Sequence, residues 1–186
     1  MYNIKKVLVL YLTFFLCSIV STAQGSYKIL KTVDKKIGSD YSQPIILPCV
    51  SNLIDIVNMD VATFKTTMKH YKYHPDEVLS GPSYIYTNLG LDLFLYDNDG
   101  KGINTIMFDP TGTNSKFAGF MIEYNQAYPR DCIPDLYNEL APFFAKSVGD
   151  EKRYALNSAN NIYGITIKPL PKNEGIVIHI YKFISQ

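Results

Sequence analysis

The sequence predicts an α+β fold: a mainly antiparallel sheet with helices packed on one face. Three observations carry that prediction. Residues 90–109 and 164–183 each hold two arms of alternating apolar residues around a polar turn, the pattern of a β-hairpin. Val61, Phe64, Met68 and Tyr71 repeat at helical spacing. Leu136, Leu140, Phe144 and Val148 recur every fourth residue. Helices on one face of such a sheet bury both apolar surfaces at once.

The first residues read as a targeting segment rather than as fold. Lys5 and Lys6 precede an apolar run over 7–20, and Ser21-Thr22-Ala23 closes it with small residues. That pattern is a secretory signal peptide covering 1–23, cut between Ala23 and Gln24. The run is about 14 residues, short of the ~20 that span a bilayer. Phe15 and Leu16 are too bulky to make Cys17 a lipid-attachment cysteine. After cleavage no transmembrane segment is expected, and the chain is expected in the periplasm or outside the cell.

The whole chain has 18 basic and 17 acidic residues, a formal charge of +1. Cleavage removes two lysines and no acid, leaving 16 against 17, or −1. A nearly neutral chain gives no electrostatic case for nucleic acid or an anionic membrane. The remaining length of roughly 160 residues suits a single domain, 24–186. An apolar fraction of 47% excludes disorder.

The elements follow in order. Residues 24–43 form a polar lead-in, an edge strand or a helical turn, which Ser39-Asp40 and Pro44 interrupt. Residues 51–57 read as a short helical turn. Asn58 or Asp60 caps a helix over 61–73, and Pro75 ends it. Residues 84–87 are a strand. The 90–109 hairpin turns at Asp97-Asn98-Asp99-Gly100, and 116–124 is a further strand. Residues 131–159 are a second helical section with a kink at Pro142, and Gly149-Asp150 sets off a short helix over 151–157. The 164–183 hairpin ends the chain. Its likeness to 90–109 suggests halves 49–125 and 132–186 as helix-plus-hairpin repeats, or two ordinary hairpins that share a pattern.

Cys49 and Cys132 remain after cleavage, each just before a predicted helix. In an oxidising compartment they are a disulfide candidate. Closing a loop of about 80 residues contributes about 4 kcal/mol in the chain-entropy model.

Four groups of residues are candidates for chemistry. Asp97-Asn98-Asp99-Gly100 resembles the start of a calcium loop, but the twelve-residue frame puts Leu95 first and Ile106 last, and neither is an oxygen ligand. A turn is the simpler reading. His70 and His74 lie four apart with Asp76 and Glu77 close by, a spacing that chelates metal on a helix. No Glu stands beside His70, and Lys69 and Lys72 add positive charge. His179 sits on a strand with no Gly-x-Ser-x-Gly nucleophile elsewhere. On these readings no catalytic, cofactor-binding or metal-ligating residue is assigned.

The fourth group is aromatic. The chain has 15 tyrosines and no tryptophan. Tyr84, Tyr86 and Tyr96 fall on neighbouring predicted strands, either as a recognition surface for a protein partner or as the half-buried cover beneath a helix. In outline the chain is similar to small bacterial α+β inhibitors and periplasmic immunity proteins, a likeness of architecture that carries no residues over. It implies a non-enzymatic binding domain. An enzyme using a His/Asp or metal site and a cell-surface assembly component are the alternatives. Mass spectrometry of the exported protein is expected to show an N-terminus at Gln24; an intact Met1 would overturn the localisation.

Overall fold

The computed structural model describes residues 26–37, 41–75, 84–88, 104–111, 115–123 and 132–184. The class is α+β: among the described residues three helices pack against an eight-stranded antiparallel sheet, beside a two-stranded sheet. Among the described residues no helix is long and apolar enough to cross a membrane.

The lead-in is a hairpin. Strand β1 (Thr32–Ile37) pairs with β2 (Tyr41–Ile46), Thr32 opposite Ile46 and Ile37 opposite Tyr41. Pro44 does not break β2. It stands opposite Asp34, two pairs on from Thr32 and Ile46. The Ile46 amide points away from β1, to Tyr73 Oη at 3.2 Å. Alternation therefore turns the Pro44 nitrogen outward as well, where a missing N–H costs nothing.

Helix α1 (Val50–Asn58) is a full helix rather than a turn, with Leu53, Ile56 and Val57 buried. Cys49 caps it without a side-chain bond, and the Glu139 carboxylate reaches in to accept from the Val50 N–H at 2.8 Å. An anion at a helix N-terminus satisfies an orphan donor and opposes the macrodipole. Helix α2 (Val61–His70) is capped by Asp60, which accepts from the Thr63 N–H at 2.7 Å. That bond, ahead of the other causes, holds the Asp60 carboxyl below its usual pKa. The helix stops before Pro75. Lys72 takes a left-handed conformation, φ 60°, and the Tyr73 N–H closes on Met68 O at 2.9 Å. Such a turn ends the ladder with its carbonyls satisfied. Pro75 belongs instead to β3 (His74–Pro75).

The large sheet runs β3, then β4 (Tyr84–Asn88), β5 (Asn104–Asp109) and β6 (Ser115–Glu123). It continues through β10 (Gly175–Phe183), β9 (Asn161–Pro169), β8 (Glu151–Ser158) and β7 (Phe144–Val148). Two four-stranded meanders thus meet at β6 and β10, with Ile178 opposite Phe120. The 164–183 hairpin is present as β9 and β10. The turn and first arm of the 90–109 hairpin lie outside the described residues. Its second arm is β5, whose neighbours are β4 and β6. By place in the sheet order, β9–β10 answers to β5–β6 and not to 90–109. The first half also carries an extra helix, so the structure does not establish the repeats.

The second helical section differs most from expectation. Helix α3 (Cys132–Leu140) gives way to a 3₁₀ turn (Ala141–Phe143) holding Pro142, and the chain becomes strand. Pro142 has no N–H for a helical ladder and its ring clashes with the preceding turn. Gly149, at φ 59°, and Asp150 make a two-residue hairpin loop. Ala159 and Asn160, at φ 47° and 63°, make the next, between Ser158 and Asn161. Positive φ at both central residues, as at Ala159-Asn160, is a turn that matches strand twist. The predicted helix over 151–157 is therefore β8, with Tyr154 and Leu156 buried and Lys152, Ala155 and Asn157 exposed.

The core lies between the helices and one face of the sheet. Phe120, Ile165, Ile167, Ile178 and Ile180 meet Leu53, Ile56, Phe64 and Met68, all fully buried. The segment 26–31 crosses these helices, held by side chains. Lys28 N–H donates to Thr67 Oγ1, Leu30 N–H to Tyr71 Oη, and Lys31 N–H to Asn52 Oδ1. Asn52, 1% exposed, also donates to the carbonyls of Lys31 and Leu47, both at 2.8 Å. Removing a buried polar partner leaves these groups unpaired. Asn52→Ala is expected to cost roughly 2–3 kcal/mol in denaturant unfolding. Thr66→Ala, which loses one exposed bond to Ala62 O, is expected to cost below about 0.5 kcal/mol.

Candidate groove beside helix α2

Lys65, Lys69 and Lys72 recur at spacings of four and three, so they share one flank of α2 and its closing turn. That flank faces an open groove of about 1070 Å³. Tyr27 of the 26–31 segment, Thr66 and His70 of α2, Tyr73 after it, His74 and Pro75 of β3, and Tyr86 of β4 complete its lining.

Packing fixes the aromatic members. Tyr27 stacks on His70 at 3.8 Å with the rings 14° apart, and His70 sets its edge against Tyr71. Tyr71 and Tyr73 send their hydroxyls to the backbone of Leu30 and Ile46. Tyr86 lies edge-on to Phe64 at 5.5 Å, which itself stacks on Phe108. Burial, and then the charge of Tyr84, raises the Tyr86 phenol above its usual pKa. The Lys65 ammonium sits over the Tyr84 ring, 4.7 Å from its centre, a cation–π contact.

The lining has three lysines and two histidines and, among the described residues, no carboxylate. Cations at the C-terminal end of a helix are also favoured by its dipole. The groove can therefore accept a negatively charged group while rings bury its apolar parts.

The residues singled out in the sequence fall in different places. Tyr84 and Tyr86 are on the helix-facing side of β4 and half-buried: Tyr84 lies beneath Lys65, and Tyr86 reaches the groove. Both are thus cover beneath α2, and Tyr86 is also lining. Tyr96, Asp97, Asp99 and Gly100 lie outside the described residues, as do Ala23 and Gln24. His70 and His74 both line the groove, but no group of three or more metal-binding side chains occurs among the described residues.

The expected disulfide is not formed: Cys49 is a free thiol, its sulfur 3.3 Å from Ser51 Oγ. The Glu139 carboxylate of α3 meets the start of α1, at the Val50 N–H.

His179 is on the opposite face of the sheet, between Phe117 at 5.0 Å and Tyr181 at 6.2 Å. Burial lowers its pKa, and the Glu151 carboxylate partly offsets that.

Sequence reading missed the groove because Tyr27 stood in an unassigned lead-in. The signal that points to it is the run of lysines off the apolar face of α2, within reach of two histidines. No protein-family model matches the chain, and no curated protein or solved structure matches it.

Proposed function

We propose that the protein is an exported, non-enzymatic binding domain that recognises a protein partner in the groove beside α2. The observation that carries this reading is the lining: Lys65, Lys69 and Lys72 around Tyr27, His70 and Tyr86, with no carboxylate among the described residues. Single exposed ion pairs contribute little, about 0.2–1 kcal/mol. Rings that desolvate a partner side chain supply the larger share, and the lysines orient and steer an acidic segment. The signal-like stretch 1–23 supports a location in the periplasm or outside the cell. An inhibitor or immunity protein works this way, by occupying a surface of another protein.

Assembly through strand edges is the weaker reading. The outer strand β7 is exposed along its length, with Phe144 53% and Val148 48% exposed. Lys146 stands at its centre, and in-register antiparallel self-pairing would set Lys146 against itself.

The test is capture from a periplasmic extract by the wild type and by Lys65→Glu/Lys69→Glu, with circular dichroism confirming that both are folded. A partner retained by the wild type at low salt, released at high salt, and held at least tenfold more weakly by the variant is expected. A wild type that captures nothing beyond what the variant captures contradicts the proposal.

A further inference from the structure

The sheet face opposite the helices carries a second hollow, built independently of the groove by β8, β9 and β10. Register sets Arg153, Thr166 and His179 in one row across these strands, and Ala155, Gly164 and Tyr181 in the next. These positions alternate with the buried Tyr154, Ile165 and Ile180, so their side chains stand on the face away from the core.

The rows make a trough. Its floor is low, because Gly164 and Thr166 are small. One wall is Glu151 and Arg153, joined by an ion pair with Nε 2.6 Å from Oε1. The other wall is His179, Tyr181 and Phe183, backed by Phe117, whose ring centre is 5.3 Å from that of Tyr181. The hollow is open to solvent and has a volume of about 480 Å³. Gly164 lets the aromatic wall pack close to β9: a Cβ there would sit 3.3 Å from the Phe183 ring. Phe183 is 49% exposed, so a large ring surface faces outward at the rim.

The two walls differ in chemistry, and that difference selects a ligand. The carboxylate of Glu151 accepts hydrogen bonds, the guanidinium of Arg153 donates them, and the Thr166 hydroxyl does both. Glu151 and Arg153 cancel in charge, and burial keeps His179 below its usual pKa, so the trough has no net charge to hold an ion. A wholly apolar ligand would desolvate the ion pair and leave its remaining donors and acceptors unsatisfied. A sugar ring answers both walls. Its C–H face rests on the electron-rich face of an aromatic ring, and its hydroxyl edge meets a mixed set of donors and acceptors. A trough of this volume also falls within the range of small-ligand sites.

We propose that the hollow between the Glu151–Arg153 pair and the Tyr181–Phe183 wall binds a neutral saccharide ring, its C–H face on the aromatic wall and its hydroxyls on the ion pair.

Saturation-transfer difference NMR on the purified protein tests this. The probes are methyl glycosides of the common hexoses and N-acetylhexosamines and their disaccharides, each at about 10 mM, a range that detects weak binding. Glucuronate and phenol are run beside them. At least one neutral saccharide is expected to receive saturation, strongest at the protons of its C–H face. Phe183→Ala and Arg153→Met are each expected to weaken it at least fivefold with circular dichroism unchanged. Both residues are at the rim and partly exposed, so neither change removes core. Lys65→Glu/Lys69→Glu is expected to leave saccharide binding unaltered, which separates this site from the groove. The proposal is overturned if no neutral saccharide receives saturation, if phenol or glucuronate binds and no neutral saccharide does, or if both rim variants bind as the wild type does.

Discussion

The amide of Asn52 ties the start of the described chain to the helices. It is buried, it accepts from the Lys31 N–H, and it donates to the Lys31 and Leu47 carbonyls. The Leu47 N–H also reaches Lys31 O at 3.0 Å, and the buried amide satisfies the backbone groups on both sides of that bond. Beyond it the Tyr71 hydroxyl serves Leu30, and Thr67 serves Lys28. An ion pair from Lys28 to Asp55 adds a partly exposed contact of lesser weight. What these bonds secure is the position of Tyr27, the ring that closes the groove over His70.

Strand β10 organises the rest. It enters last in the chain and lies between β6 and β9, so it joins the two meanders. Its alternation divides the molecule: Ile176, Ile178 and Ile180 are buried toward the helices, whereas Val177, His179 and Tyr181 are half-buried on the other face. A one-residue slip would exchange these sets, so burial itself fixes the register. The same strand therefore supplies the core and the aromatic wall of the second hollow.

Much of the fold was legible. The face Phe64, Met68 and Tyr71 is buried as its spacing implies, and the alternating arms around 164–183 form the expected hairpin. The misread stretch was 144–158. There Phe144 and Val148 extended the spacing of Leu136 and Leu140, although Pro142 intervened and Tyr154 and Leu156 already alternated with Arg153, Ala155 and Asn157. The turns at Gly149-Asp150 and Ala159-Asn160 carried the correct signal. The candidate sites were less legible for a physical reason. Tyr27 meets His70 only because hydrogen bonds from distant residues bring it there, and Arg153 meets Tyr181 only through the strand register. Neither meeting has a local periodicity.

Backbone amide hydrogen exchange at Leu30 and Lys31 tests the pinned segment most directly. Those N–H groups bond to side chains, Tyr71 Oη at 2.8 Å and Asn52 Oδ1 at 3.0 Å, and to no neighbouring strand. Protection at both comparable to that of amides within helix α1 is expected, since opening them requires releasing buried Asn52 or Tyr71. Exchange at the rate of an unstructured chain, with α1 itself protected, would show that the segment is not held and that Tyr27 does not form the wall of the groove.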